Sequence, residues 1–153
     1  MQVPTRADQH NVMLEVVGNH TPEVVVVDEI TTYSEAQTAQ TIAQRGIQLV
    51  ASAHGRFGSL VRNPVLCSII GGLQAVILGD SAAKRGDGKK SQIERVGSPT
   101  FSTCLEVISH DSVILYEDVG TCIDLLLKKQ PCTGQLRRMR CDHMVEVSDQ
   151  CVQ

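Results

Sequence analysis

With 153 residues, 42% of them hydrophobic and 20% charged, the chain has the composition of one folded domain large enough to bury a core. Its net charge of -3 gives no overall basic field, which argues against bulk attraction to nucleic acid or to an anionic membrane surface. Aromatics at 3% and the absence of Trp leave the core to Val, Ile, Leu and Ala, a mix that suits a buried parallel sheet and leans toward an α/β fold.

No apolar run approaches the roughly 18 to 20 residues that span a bilayer, and the opening MQVPTRADQH lacks the apolar stretch of a secretory signal. Cys67, Cys104, Cys122, Cys132, Cys141 and Cys151 include no C-x-x-C pair, so they read as reduced, mostly structural thiols of an intracellular protein.

In chain order, Asp8 is placed to cap a helix over Gln9 to Val17, with Val12, Met13, Val16 and Val17 on one face and Gly18 as its stop. Asn19 to Pro22 breaks that pattern and releases an apolar strand, Val24 to Val27. Apolar on both faces, this strand is expected at the centre of a sheet with helices on both sides. Ser34 with Gln37 forms the spacing of a capping box for a helix that ends at Gly46, and a second apolar strand, Ile47 to Ala51, follows directly. Strand, helix, strand at this length is a βαβ unit, so the two strands should run parallel with their carboxyl ends on one edge.

Short helices are expected near Ser59 to Arg62 and Val65 to Ile70, then a strand at Leu73 to Leu78. Residues 81–91, SAAKRGDGKKS, read as a flexible loop. Gln92 to Val96, Phe101 to Ile108 and Val113 to Val119 alternate as strands of a small antiparallel addition, and Thr121 and Asp124 can cap a last helix, Cys122 to Lys129. The expected organisation is a core over residues 1–80, the loop 81–91, a β-rich extension with its helix over 92–129, and a weakly ordered tail over 130–153.

Asp28 and Glu29 close the first strand, and Ser52-Ala53-His54-Gly55 closes the second, on the edge where open α/β sheets bind ligands. A carboxylate at the mouth of an apolar strand is costly to desolvate unless a cation or dipole stands beside it. Two readings stay open. A magnesium ion held through water by Asp28, with Glu29 polarising a second water, would satisfy the pair; a strand-end acid starting a turn or capping a helix would do so as well. His54 is either a sensor of a phosphate in the same crevice or a hydrogen-bonded turn residue.

The runs MQVPTRADQHNVMLEVVGNHTPEVVVVDEI, EAQTAQTIAQRGIQLVASAHG, LVRNPVL, IIGGLQAVILGD and PTF together resemble the plastid and cyanobacterial AAA-type P-loop ATPases related to stage III sporulation protein AA, over roughly Met1 to Leu127. The strand-helix-strand with its terminal His more distantly resembles the secretion-ATPase branch of P-loop NTPases. The resemblance implies a partial RecA/AAA-like parallel sheet, ATP and Mg2+ as ligands, Asp28 as the Walker B acid on the magnesium side, Glu29 as the catalytic acid and His54 as the sensor. It also implies a plastid location, in place of a cytoplasmic one, and a place for the chain as the C-terminal part of an ATPase, inactive alone. A homo-oligomer, or pairing with an intact ATPase chain as a non-catalytic interaction protein, is the alternative.

The family's phosphate loop, G-x-x-x-x-G-K-[ST], is missing, and Gly86-Asp87-Gly88-Lys89-Lys90-Ser91 has the wrong spacing and no preceding apolar strand. By the resemblance, the strand carrying that loop would sit beside the His54 strand, and its loss would leave a gap or an exposed apolar edge. The family's C-terminal nucleic-acid module, with its Arg-x-x-x-His signature, is not evident either. Arg137, Arg138 and Arg140 with Lys128 and Lys129 form a basic cluster without aromatics for base stacking, which fits a solvated tail better than a nucleic-acid contact. Cys132, Cys141, His143 and Cys151 are too irregularly spaced to favour zinc.

Overall fold

Alternation decides how the first strand sits: in β1 (Val24–Val27), Val25 and Val27 are buried while Val24 and Val26 face out. The computed structural model describes residues 2–77, 91–140 and 144–152. β1 pairs in parallel with β2 (Gln48–Ala51), Val27 opposite Ala51, as the βαβ pattern requires. The buried face of this pair packs on α1 (Gln9–Asn19) and α2 (Tyr33–Gln44) in one apolar cluster that includes Met13, Val17, Ala36, Ala39 and Ile42.

The expected two-sided cover is not what the described residues form. Val24, Val26 and Val50 keep 47%, 73% and 50% of their surface exposed, and β1 and β2 pair only with each other. A parallel pair is normally buried on both faces because its crossover helices lie over it; here both helices lie on one side.

Details of the helix ends also differ from the sequence expectations. Asp8 makes no cap bond to α1 and instead accepts from the Thr5 hydroxyl at 2.6 Å, and α1 runs through Gly18 to Asn19. The capping box of α2 is Thr32 with Glu35, two residues ahead of the Ser34–Gln37 spacing. Glu35 wins because its carboxylate takes the Thr31 and Thr32 amides at 2.8 and 2.9 Å, satisfying two donors that would otherwise be orphaned. Gly46 ends the helix as expected, at φ 80.

After β2 come a one-turn helix α3 (Phe57–Leu60) and, where a second short helix was expected at Val65 to Ile70, a run of turns. β3 (Leu73–Ile77) pairs antiparallel with β4 (Ser91–Arg95). Of the loop expected at 81–91, only Ser91 is described, and it belongs to β4; 81–90 and Leu78 lie outside the described residues, with most of the Gly86 to Ser91 decoy. β5 (Cys104–Ser109), β6 (Ser112–Tyr116), β7 (Cys132–Met139) and β8 (Val145–Val152) form an antiparallel sheet of four strands in sequence order. Asp118 stops β6 early by capping α4 (Val119–Leu127), accepting from the Thr121 amide and hydroxyl; neither Thr121 nor Asp124 is the cap.

β7 and β8 correct the expectation of a weakly ordered tail over 130–153. The inward positions of β7 are Cys132, Gly134 and Leu136, too mixed in size and polarity to show as alternation. Gly134 is small because a Cβ there would stand 2.5 Å from Ile114 Cγ2 and 3.0 Å from the Tyr116 ring. Arg137 and Arg138 are accordingly strand residues, donating to Gln135 and Ser112, and not part of a solvated tail.

A second apolar cluster lies between this sheet and α4, built on Phe57, Ile114, Tyr116, Ile123 and Cys132, and Leu60 touches both clusters. Phe57 stacks on Tyr116 with ring centroids 4.3 Å apart. Arg95 on β4 ties to Asp124 on α4 through Nε at 3.0 Å and Nη2 at 2.9 Å. Buried among these groups, the Cys122 thiol is pushed up to about 12 and the Cys132 thiol is also raised, both chiefly by desolvation, so each stays protonated and unreactive at neutral pH.

Candidate functional site

The register that sets Val27 beside Ala51 brings the two strand ends abreast, and the backbone laces them together. The Ile30 amide donates to the Ser52 carbonyl at 2.9 Å, the Ser52 amide donates to the Val27 carbonyl at 3.3 Å, and the Ser52 hydroxyl donates to the Asp28 carbonyl. Asp28, Glu29 and His54 therefore share the carboxyl edge of the parallel pair.

Their side chains diverge from that common edge. The Asp28 carboxylate is exposed and has no hydrogen-bond or ion-pair partner among the described residues. Glu29 is half-buried, its carboxylate paired with Arg6 Nη2 at 2.5 Å and its carbonyl taking the Gln9 side-chain amide at 3.0 Å. The acid pair is thus not uncompensated: Arg6, from the turn ahead of α1, answers half of it. His54 is exposed and faces another space, a cleft of about 510 Å3 that neither Asp28 nor Glu29 lines.

That cleft runs between β2 and β5. Leu49, Val50 and Ala51 border it on one side, Cys104, Leu105 and Val107 on the other, and Leu66 and Ile70 lie in its floor. Among the described residues both bordering strands are sheet ends, β2 pairing only with β1 and β5 only with β6. Open strand edges with their unpaired amides and carbonyls therefore flank an apolar slot.

Among the described residues, no group of three or more His, Cys, Asp and Glu comes together as a metal cage, and no helix is long and apolar enough to cross a membrane. Cys141 and His143 of the zinc alternative lie outside the described residues.

Glu106 was missed by sequence reasoning. It stands in the apolar run of β5 between exposed Leu105 and Val107, and its Oε2 takes the Tyr116 hydroxyl at 3.0 Å and the Phe57 amide at 3.3 Å. A lone acid amid aliphatics on an alternating strand was the available signal.

Comparison with known proteins gives three relatives. Protein SEEDLING PLASTID DEVELOPMENT 1 of Arabidopsis thaliana is 42% identical over 141 residues, 92% of this chain and 21% of its own length. The uncharacterized protein ycf45 of Porphyra purpurea is 47% identical over 141 residues, 92% of this chain and 25% of its own length, and that of Cyanidium caldarium is 38% identical over 149 residues, 97% and 44%.

This chain is similar to plastid proteins. The plastid location expected from the sequence agrees with these relatives. The chain spans less than half the length of each of the three. No family model matches it, and no solved structure does.

The resemblance to AAA-type P-loop ATPases is corrected by these findings: the relatives are a plastid-development protein and ycf45 proteins, and no family model supports a P-loop ATPase. An apolar strand ending in acids is a short pattern, and the phosphate loop that would make it specific is absent. The strand-end acids here meet in part an ordinary structural need, Glu29 anchoring Arg6.

Proposed function

We propose that the chain is a non-catalytic docking module of a longer plastid protein, and that the slot between β2 and β5 receives an extended segment of that protein. The segment pairs its backbone with the open strand edges and joins the parallel pair to the antiparallel sheet in one larger mixed sheet, whose second layer covers Val24, Val26 and Val50. The observation that carries this is the apolar slot of about 510 Å3 with, among the described residues, an open strand edge on each side. Material to fill it is available, since the relatives extend well beyond the length they share with this chain.

Hydrogen exchange tests it, comparing the isolated chain with the longer native protein from its source plastids. The β2 and β5 amides should exchange quickly in the isolated chain and be protected in the longer protein. Equal exchange in both would overturn docking, and protection in a stable dimer of the isolated chain, seen by light scattering, would make the occupant a second copy.

The edge itself supports a second reading, favoured by the unpartnered Asp28 carboxylate. Asp28 and Glu29 hold a magnesium ion through its water, with ATP phosphates on the far side and His54 near them once the sheet is complete. The residues fit in part: Asp28 is available, while Glu29 must first leave Arg6. Calorimetry of Mg2+ with ATP on the longer protein tests this, and retention of full affinity in Asp28→Asn would exclude it.

A further inference from the structure

A second cleft, of about 890 Å3, opens between α3, the inner face of β5 and β6, the end of α4, and β8. It is within the volume range of small-molecule sites. Among the described residues its lining carries three cations, Arg56, Arg62 and Lys129, against one acid, Glu106. None of the three cations is paired with a carboxylate among the described residues. Uncompensated like charges around a shared space repel one another, and an anion in that space relieves the repulsion.

Two further features fix the character of the site. Lys129 is held at φ 58, in the left-handed region, where its amide donates to the Leu126 carbonyl at 3.0 Å, so its position at the rim is set by the helix end. Glu106 is nine-tenths buried, with 9% of its surface exposed. Both of its protein hydrogen bonds go to Oε2, and none among the described residues uses Oε1. A fixed carboxylate with a spare oxygen at the wall of a basic cleft calls for a donor on whatever binds there.

We infer that this cleft binds a small phosphomonoester, its phosphate on Arg56, Arg62 and Lys129 and a hydroxyl or amino group of the same molecule donating to Glu106. Sugar phosphates and mononucleotides share this chemistry. A nucleic-acid strand is disfavoured because, among the described residues, no aromatic side chain lines the cleft to stack a base. Glu106 also lines the docking slot, whereas Arg56, Arg62 and Lys129 line this cleft and not the slot.

Calorimetry on the whole chain with ribose 5-phosphate, AMP, inorganic phosphate and ribose tests the assignment. Ribose 5-phosphate or AMP should bind about tenfold or more tighter than inorganic phosphate, and ribose should not bind measurably. The tighter of the two identifies the ligand as sugar phosphate or mononucleotide. Arg56→Gln and Lys129→Asn, the latter chosen because Asn tolerates the left-handed backbone, should each weaken that binding about tenfold with an unchanged melting curve. Absence of binding at millimolar ligand, inorganic phosphate binding as tightly as the esters, unaltered affinity in both variants, or tighter binding of polyuridine RNA would each overturn it.

Discussion

Arg6 Nη2 and Glu29 Oε2 meet at 2.5 Å, joining the turn ahead of α1 to the carboxyl end of β1. Both side chains are substantially exposed, 66% and 38%, so the pair contributes little to stability. Its interest lies in what it withholds: while Arg6 holds Glu29, Asp28 is the only free acid of the two. Arg6→Ala should therefore change the melting temperature little, corresponding to under about 0.5 kcal/mol, while strengthening binding of a divalent cation severalfold. Water-proton relaxation with Mn2+ as the probe measures this.

Tyr116 and Glu106 offer a sharper stability test. Tyr116→Phe keeps the stack on Phe57 and removes one of the two donors to a buried carboxylate. The loss should be about 1 to 3 kcal/mol, read by urea denaturation. The Tyr116 phenol is itself shifted upward, first by burial and then by its bond to Glu106, so the folded protein should show no phenolate absorbance from this residue at pH values where free tyrosine ionises.

Acid should act through Glu35. Burial works to raise its carboxyl pKa, but the Thr31 and Thr32 amides and hydroxyls outweigh burial and hold it below the ordinary Glu value. A lowered folded value means that the stabilisation is complete above the unfolded Glu pKa, about 4.3, and is lost as pH falls through the folded one. Glu35→Gln should flatten the acid limb of a stability profile below about pH 4.5. Thr32→Ala, which removes the cap while leaving the acid, should cost about 1 kcal/mol.

Gly134→Ala places a methyl 2.5 Å from Ile114 Cγ2, where backbone separation is fixed by the β6–β7 ladder. Overpacking of this kind should cost about 1 to 3 kcal/mol, and a thermal melt would show it. The Ala variant of Gly18, where nothing lies within 4 Å, serves as the control and should hold or gain stability.

Local periodicity carried the first half of the chain well. The strand pair, its crossover helix and the glycine stop at Gly46 were legible because each depends on residues close in sequence. The cap was misplaced by two residues because Ser34–Gln37 and Thr32–Glu35 have the same spacing, and what separates them is the pair of amides at Thr31 and Thr32. β7 was not legible: Gly134 belongs there only because Ile114 and Tyr116, some twenty residues earlier, fill its side-chain space. The acid edge was legible as a location, but Arg6 as the counter-ion of Glu29, 23 residues away, was not. Nor was the basic cleft, where only the tertiary fold brings Lys129 to Arg56 and Arg62.

The protonated, solvent-excluded sulfurs of Cys122 and Cys132 give the molecule an internal clock. An alkylating reagent can modify them only when α4 lifts from β7, so their labelling rate, compared with that of exposed Cys151, times the opening of the sheet-helix layer without any substitution in the chain.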